Sequence, residues 1–430
     1  MPVKYSRMCT KFTSNLMIPA ALVLTLGWAG AAMGDVGSEG WGRSWGVSNV
    51  SYRQSYDRVP VRRWEIQPAR GLPTLSKSNI EPLKAAIKYY QAVVAMGGWK
   101  PLPMIKLKLG VRHQGVALLR RRLELTGDLP SGYRNTRRFG RYLDAAVKRF
   151  QARHGLAPTG LVDRATILAL NVPAGERLSQ LRTNLDRLRR LSNAAARRYV
   201  MVNIPAAQIE AVENDEVVSR HKAVVGKVDR RTPVLRSRIH QLNFNPYWHV
   251  PRSIVRRDLV PEARRNAARG KDIMSEYRID VFSAPGKILD SSKINWNSPA
   301  VYNYMYRQQP WKENAMGFVK INFSNRYSVY MHDTPTKKLF GRNFRAASAG
   351  CVRVQNVKQL VSWLLESNQG WDSAKVAEME RTGVRRDVSL KRRTPVYFVY
   401  VTAWATRDGA VNFRRDLYAR DRVGPMASAY

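Results

Sequence analysis

The sequence predicts an α+β protein of several domains, in which a small three-helix domain precedes a β-rich domain that carries an inserted subdomain. Apolar residues recur at three- and four-residue steps through residues 79–198, which is the period of amphipathic helices. From residue 199 onward the apolar residues alternate instead, with many β-branched and aromatic side chains, as in half-buried strands. Residues 252–316 interrupt this alternation, and an interruption of that size predicts a lid or binding subdomain.

The composition bounds the class of protein and its partners. A length of 430 residues is too long for one ordinary core, and a hydrophobic share of 44% is that of a globular protein. The 73 Lys and Arg residues against 32 Asp and Glu residues give a formal net charge of +41, which favours contact with nucleic acid or with an anionic cell envelope. Because these basic residues are spread through every segment, without a zinc-finger spacing or a compact arginine-rich arm, we expect no specific nucleic-acid recognition.

The N-terminal segment predicts the compartment. Basic residues precede the apolar run 16–26, and small residues follow it up to Gly34. This order is typical of a secretory signal over residues 1–34. The alternative is an uncleaved membrane anchor, because the apolar stretch is just long enough to span a bilayer. Cys9 precedes the apolar run and therefore does not mark a lipid attachment site.

Helical segments are predicted on both sides of the small domain. Residues 35–78 are rich in Gly, Ser, Arg and Trp with little periodicity, which predicts an irregular lead-in. Residues 79–106 and 173–198 then show helical patterns, the second with a leucine stripe that is ordinary core packing. We expect these two segments to form a helical scaffold. The stripe consists of Leu178, Leu181, Leu185, Leu188 and Leu191.

Residues 107–172 predict three short amphipathic helices separated by glycine-containing turns. The segments AVKRFQ and HGL, the Thr159-Gly160 turn, Asp163 and the closing Leu170-Asn171 resemble the small peptidoglycan-binding domain found beside many wall enzymes. The resemblance implies that this unit binds the glycan of the cell wall. The alternative is a structural three-helix bundle that no longer binds glycan, because a fold does not by itself establish a function.

Residues 199–424 predict the β-rich domain, whose strands are bounded by turn-forming residues. Within it, residues 252–316 are charged and helical at first and irregular with aromatic side chains later. Strands resume in FVKINFSN and YSVYMHD, and a helix is predicted at Val357–Leu365. Two further strands, PVYFVYVTAWAT and AVNFRRDLY, are predicted to close the domain around a hairpin turn at Asp408-Gly409.

Cys351 is the candidate nucleophile. The sequence has two cysteines, and Cys9 lies in the predicted signal, so Cys351 has no partner for an intrachain disulfide. Because we expect the protein to be exported, this free thiol would be exposed to an oxidising compartment. A thiol attacks a carbonyl as the thiolate and so needs a low pKa or an adjacent base, for which His332 at the end of a strand is the natural candidate. The backbone N–H groups of Gly350 and Cys351 are candidate oxyanion donors. Arg353 is a candidate clamp for a substrate carboxylate.

Each of these residues also has an ordinary structural interpretation. A solitary cysteine is commonly a small buried hydrophobe, a histidine beside an aspartate commonly ends a strand, and an arginine in so basic a chain is commonly solvated. Taken singly, each ordinary interpretation is favoured. Their clustering in one short segment, with a glycine directly before the thiol, favours catalysis.

The motifs HDTP and SAGCVRV resemble the catalytic signature of the L,D-transpeptidases, the YkuD-type domain. The segments NFNPYWHVP, ENAMGFVKINF and PVYFVYVTAW resemble the large, multidomain YcbB-like class of that family. The resemblance implies a β-rich catalytic domain in which a cysteine attacks the carbonyl of the third residue of a peptidoglycan tetrapeptide stem. Release of the terminal D-alanine leaves a thioester, which an amine on another stem resolves to a 3→3 cross-link.

By matching position, the resemblance implies that Cys351 is the nucleophile and His332 the general base, and that Arg353 receives a stem carboxylate. We expect a backbone carbonyl to orient His332, since Asp333 is its neighbour in a strand and points the other way. Many family members have a histidine where this chain has Ala349. The backbone amides, including that of Gly350, must therefore carry more of the oxyanion role.

The resemblance also implies the residues that surround the nucleophile. Tyr330 and Ser348 shape the site, and Trp248 lines the cleft. Residues 252–316 form a capping subdomain over it.

The expected partners follow from this resemblance. They are the stem peptides and the glycan of peptidoglycan, and the expected location is a bacterial periplasm or cell envelope, with inner-membrane association where the N-terminal segment is not cleaved. We expect no metal and no cofactor, because the six histidines are scattered and the sequence has neither HExxH nor CxxC.

Three alternatives to cross-linking stay open. The same acyl-enzyme could pass the stem to an amine of an envelope protein, tethering that protein to the wall, or to water, as an L,D-carboxypeptidase. The sequence does not rank these acceptors. A wall-binding scaffold that has lost its activity is a more distant alternative, which the intact Cys351, His332 and Arg353 disfavour.

Overall fold

The computed structural model describes residues 71–132, 136–424 and 426–429 of the chain. The predicted signal or anchor over 1–34, with Cys9, lies outside the described residues, as does most of the predicted lead-in. In the described ranges, none of the helices combines the length and the apolar character that a membrane span requires.

The N-terminal part of the described chain is helical. Its helices are α1 (Ile80–Ala95), α2 (Gly115–Leu125), α3 (Arg141–Arg153), α4 (Arg164–Leu170) and α5 (Ala174–Asn193). Helices α1 and α5 pack against each other, while α2, α3 and α4 enclose a separate apolar core. In that core Leu119, Phe150 and Leu170 are fully buried. The three helices predicted from the amphipathic spacing of the small domain are therefore confirmed.

Local sequence signals explain where these helices begin and end. The Asp163 carboxylate accepts a hydrogen bond from the backbone N–H of Thr166 at 2.9 Å and so caps the start of α4. Helix α5 ends at Asn193, earlier than the predicted 173–198 segment, because Arg198 already pairs in the first strand of the sheet.

The remaining described chain is rich in strands. They are β1 (Arg198–Asn203), β2 (Gln208–Glu213), β3 (Glu216–Gly226), β4 (Leu235–Phe244), β5 (Trp248–His249), β6 (Ile279–Ala284), β7 (Lys287–Leu289), β8 (Met305–Gln308), β9 (Val319–Phe323), β10 (Met331–His332), β11 (Ala346–Ser348), β12 (Val352–Val354), β13 (Arg386–Val399), β14 (Ala403–Ala405) and β15 (Val411–Phe413). The main sheet has the order β11-β3-β12-β10-β9-β4-β13-β1-β2. Because β2 also pairs with β3, this sheet closes into a barrel-like ring.

The segment between β5 and β9 forms a layer with a core of its own. Its helical elements are α6 (Arg252–Ile254), a π-helical turn (Val255–Leu259), α7 (Val260–Ala267) and α8 (Ile273–Glu276), and its sheet has the order β5-β8-β6-β7. Leu259, Met274 and Val301 are fully buried inside this layer. Tyr330, directly before β10 of the main sheet, packs against this layer. The layer therefore contacts the main sheet beside the segment that carries the candidate base.

Helices α9 (Val357–Leu365) and α10 (Ser373–Thr382) pack on the apolar side of the main sheet. Helix α9 confirms the helix predicted after Cys351. One predicted strand, however, is interrupted between β13 and β14. At the interruption, the Thr402 N–H donates to the Asn184 side chain of α5 at 3.0 Å and not to a neighbouring strand. The Thr402 hydroxyl accepts a hydrogen bond from the same asparagine at 2.7 Å.

The three-helix unit is attached to the C-terminal hairpin β14–β15. Arg153 at the end of α3 pairs with Asp128 at 2.5 Å and donates to the carbonyl of Val411 at 2.9 Å. Arg414 donates in return to the carbonyl of Arg153 at 2.8 Å. The buried ring of His154 stacks on Phe413, with 5.5 Å between centroids. Ionic, hydrogen-bonding and aromatic contacts thus join the two parts of the chain.

His221 in β3 generates a prediction about stability. Its ring nitrogens lie 2.9 Å from Ser219 Oγ and 3.0 Å from the Gln355 carbonyl, and burial lowers its pKa to about 4. An unfolded histidine binds a proton near pH 6.5, so the free energy of unfolding must fall as the pH drops from 6.5 towards 4. We expect a shallower pH dependence for His221→Gln in urea unfolding. An unchanged slope in that window contradicts the assignment.

Candidate active site

Strands β10 and β12 run parallel, side by side, and position the candidate base and nucleophile. In their register Met331 lies beside Val352, and His332 beside Arg353. Because Met331 and Val352 are fully buried in the sheet core, the alternation of side chains places His332 and Arg353 on the opposite face. Four residues in or directly before these two strands share this outer face: Tyr330, His332, Cys351 and Arg353.

A tight turn delivers Cys351 to this face. Gly350 has a φ of +120°, a backbone conformation that favours glycine. The Ser348 hydroxyl donates to the Cys351 carbonyl at 2.5 Å and accepts the Gly350 N–H at 3.1 Å. The Thr232 hydroxyl donates to the Gly350 carbonyl at 2.8 Å. These bonds hold the turn from both sides, and Ser348 shapes the site through the backbone.

The same bonds correct the expected oxyanion donors. The Gly350 N–H is engaged by Ser348, whereas the Cys351 N–H has no acceptor among the described residues. The expected pair of donors from Gly350 and Cys351 is thus reduced to one in this structure. Ala349 has no polar side chain that could supply the second.

His332 is oriented by a backbone carbonyl, as expected from the sequence. Its Nδ1 lies 2.5 Å from the carbonyl oxygen of Asp333. The Asp333 carboxylate points elsewhere, accepting the Phe318 N–H at 3.2 Å and pairing with Lys337. With Nδ1–H donating to the carbonyl, Nε2 is the nitrogen that accepts a proton.

Burial keeps the imidazole neutral. It lowers the pKa of His332 to about 3, and the positive charge of Arg353 lowers this pKa further. Hydrogen bonds to the backbone carbonyls of Asp333 and Met316 oppose the shift only in part. His332 is therefore an unprotonated base throughout the neutral pH range.

The Cys351 thiol is half-buried, and burial raises its pKa above the ordinary 9.0. Hydrogen bonds from the backbone and side chain of Tyr330 favour the thiolate, as do the positive charges of Lys320 and Arg353. The resting pair is consequently a neutral thiol and a neutral imidazole. Within the described residues no hydrogen bond joins His332 to Cys351, and the sulfur is held by Tyr330.

Tyr330 connects this outer face of β10 and β12 to the layer between β5 and β9. Its ring lies edge-on to the His332 imidazole, with 5.7 Å between the centroids. Burial raises the pKa of Tyr330 well above its ordinary range, and the neighbouring buried Trp248 side chain opposes this shift only in part. Tyr330 thus stays a phenol that can donate to Cys351. Tyr330 is the aromatic residue that contacts the sulfur.

The charged groups nearest the thiol and imidazole are cationic. Arg353 is 6% exposed, and burial lowers its pKa to about 10. Lys320 on β9 is registered with His332, and its Nζ lies 4.4 Å from the centroid of the Tyr330 ring. In the ranges that the structure describes, no group of three or more His, Cys, Asp or Glu side chains is arranged to hold a metal ion.

Lys320 is the site residue that sequence reasoning missed. It stands in the quoted segment FVKINF, between Val319 and Ile321, which are fully buried in the core. A lysine between two core residues in a predicted strand was the available signal. Its relevance required knowing that β9 lies directly beside β10.

Two family models match the chain. Residues 197–397 match the model described as "L,D-transpeptidase catalytic domain", and residues 112–170 match the one described as "Putative peptidoglycan binding domain". Among curated proteins, the chain is 30% identical over 224 residues to a "Putative L,D-transpeptidase" of Haemophilus influenzae. That alignment covers 52% of this chain and 44% of the relative, so less than half of the relative's length is matched.

Solved structures give weaker similarities. An L,D-transpeptidase fragment from Xylanimonas cellulosilytica is 16% identical, with 70% of this chain and 100% of that chain covered and a TM-score of 0.22. An L,D-transpeptidase from Stackebrandtia nassauensis is 13% identical, with 72% and 98% covered and a TM-score of 0.25. At these scores the likeness carries no argument. The family models confirm the resemblance of residues 197–397 to the YkuD-type catalytic domain and that of residues 112–170 to the peptidoglycan-binding domain, whereas the resemblance to the YcbB-like class stays a prediction.

The contact between Tyr330 and Cys351 predicts a measurable thiol pKa. Tyr330→Phe removes the phenol donor, so the midpoint of alkylation by iodoacetamide against pH should rise by about one pH unit. The measurement uses a Cys9→Ser background, in which Cys351 is the remaining thiol. Tyr327→Phe is the matched control, because Tyr327 is 46% exposed. Equal midpoints in wild type and Tyr330→Phe would show that the phenol does not act on the sulfur.

Proposed function

We propose that this chain, which carries a catalytic domain of the L,D-transpeptidase family, is a peptidoglycan L,D-transpeptidase with Cys351 as its nucleophile. The observation that carries the proposal is the placement of Cys351 and His332 on one face of two adjacent parallel strands, beside the layer between β5 and β9. A thiol and a neutral base on a rigid sheet are the groups that acyl transfer through a thioester requires.

In the first half-reaction His332 accepts the thiol proton at Nε2 as the sulfur attacks the carbonyl of the third stem residue. Lys320 and Arg353 stabilise the thiolate as it forms, because their charges reach the sulfur. The N–H of Cys351 donates to the carbonyl oxygen as that oxygen becomes negative. When the C–N bond breaks, the imidazolium returns its proton to the leaving amine of D-alanine. The product is a thioester on Cys351.

In the second half-reaction an amine attacks the thioester carbonyl. His332 is again neutral and takes a proton from the attacking nitrogen, and the sulfur leaves. The side-chain amine of a diaminopimelate on another stem yields a 3→3 cross-link. An amine of an envelope protein or a water molecule would complete the same chemistry with a different product.

The other parts of the chain have supporting roles in this proposal. The three-helix unit within 107–172 binds glycan and holds the enzyme at the wall, and residues 252–316 cap the cleft over the thiol. Residues 79–106 and 173–198 form the helical scaffold. Residues 199–424 form the catalytic domain. The enzyme acts outside the cytoplasm, in the periplasm or cell envelope, where its positive charge favours anionic wall and lipid groups.

Replacement of the nucleophile tests the proposal directly. Cys351→Ala should abolish the formation of cross-linked dimers from purified tetrapeptide-bearing muropeptides, and should also abolish the covalent stem adduct detected by intact-protein mass. Cys9→Ala is the control and should retain both signals. Dimer formation by Cys351→Ala would refute Cys351 as the nucleophile, while tripeptide without dimer in the wild type would identify a carboxypeptidase.

The pKa of His332 predicts the pH profile. Because burial lowers this pKa to about 3, the base stays neutral as the pH falls, and kcat/KM should not decline with a midpoint near the ordinary 6.5. Muropeptide acylation measured between about pH 4.5 and 8 tests this, with circular dichroism as the control for folding. An acid limb centred near 6.5 in a folded enzyme would contradict the lowered pKa of His332.

A further inference from the structure

Lys320 lies close to the reacting groups without belonging to either half of the catalytic pair. Strands β12, β10 and β9 are neighbours in that order, and Lys320 is registered with His332. Its ammonium lies 4.4 Å from the centroid of the Tyr330 ring. The same tyrosine donates to the sulfur of Cys351. One aromatic ring therefore separates a cation from the nucleophile.

The ammonium of Lys320 is not neutralised by an acidic partner. In the ranges that the structure describes, no salt bridge joins it to an Asp or Glu. The charge of Asp387 reaches it, but that carboxylate accepts the Asn243 side-chain N–H at 2.8 Å. On the other side, the charge of Lys320 reaches His249, an exposed residue of β5. The cation thus lies where the main sheet meets the layer between β5 and β9.

We propose that Lys320 is the binding site for the terminal carboxylate of the donor stem, the carboxylate of the D-alanine that leaves. This inference rests on the proposed function. It assigns to Lys320 the carboxylate contact that the sequence suggested for Arg353. An ammonium and a carboxylate form a strong charge-assisted hydrogen bond, and burial strengthens it.

The direction of the substrate supports this assignment. The attacked carbonyl must lie at the Cys351 sulfur, and the carboxylate of the next residue follows after one residue, about 3.8 Å of chain. Neighbouring strands are about 4.8 Å apart, so a carboxylate this close to the sulfur lies over β10, beside the Tyr330 ring that the Lys320 ammonium contacts. Arg353 is 6% exposed and stands on β12, the strand that follows the nucleophile itself. Lys320 is the cation on the β10 side of the sulfur.

The assignment has a consequence for donor choice. A tetrapeptide stem ends in a free carboxylate after the scissile bond, whereas a pentapeptide stem has a neutral amide at the same place. An enzyme that binds this carboxylate accepts the tetrapeptide stem as a donor and rejects the pentapeptide stem. Lys320 is thereby a specificity residue for stems that have already lost their fifth residue.

A binding experiment tests the subsite separately from catalysis. In a Cys351→Ala background, a tetrapeptide stem with a free terminal carboxylate should bind about 10- to 100-fold more tightly than the same stem with a terminal amide. Adding Lys320→Met should remove this difference. The control is Lys391→Met, an exposed lysine on β13 of the same sheet, which should keep it. Equal binding of acid and amide, or a preference that survives Lys320→Met, overturns the proposal.

Kinetics separate carboxylate binding by Lys320 from an effect of its charge on the thiolate. Lys320→Met should slow acylation by the acid donor about 10- to 100-fold more than it slows alkylation by neutral iodoacetamide in a Cys9→Ser background, because the Lys320 charge favours the thiolate in both reactions but meets a carboxylate only in the first. Equal loss in both reactions means that Lys320 acts on the thiolate and refutes carboxylate recognition. If the acid stem binds selectively but wild type never acylates, the proposed function fails and the subsite stands. If wild type acylates acid and amide equally, the function stands and the subsite fails.

Discussion

Backbone pairing between β10 and β12 sets the geometry on which the rest of the site depends. Met331 and Val352 lie side by side in the core, so their chain neighbours Tyr330, His332, Cys351 and Arg353 must all point to the opposite face of the sheet. A slip of one residue in either strand would send a catalytic side chain into the core and a core side chain out. The apolar packing of Met331 and Val352 therefore holds the catalytic face in register, and the helices α9 and α10 contribute to that packing.

Burial and charge act against each other around the thiol. Burial favours uncharged groups, which raises the pKa of Cys351 and lowers that of His332. Two cations, Lys320 and Arg353, favour the thiolate but also disfavour an imidazolium. The arrangement thus suits an enzyme whose thiol is ionised only during attack, when a substrate carbonyl is present to receive the electron pair. A free thiol that rests protonated is also less reactive towards oxidants.

Much of this arrangement could be predicted from the sequence. The periodicity change near residue 199, the three short helices and the helix at Val357–Leu365 were local signals. The backbone carbonyl that orients His332 followed from strand alternation alone. Two features could not be predicted, because periodicity specifies neither the hydrogen bonds of a particular turn nor the register between two strands. The Gly350 N–H donates to Ser348 Oγ, which leaves one of the expected oxyanion donors, and the adjacency of β9 and β10 brings Lys320 to the site.

The attachment between the three-helix unit and the C-terminal hairpin has a geometrical consequence for wall synthesis. Arg153 and Arg414 exchange hydrogen bonds with the backbone across the junction, so the small unit is not joined through a loose linker alone. A glycan strand held by that unit would lie at a set offset from the thiol. The fold would then fix the distance between the bound saccharide and the stem that becomes acylated.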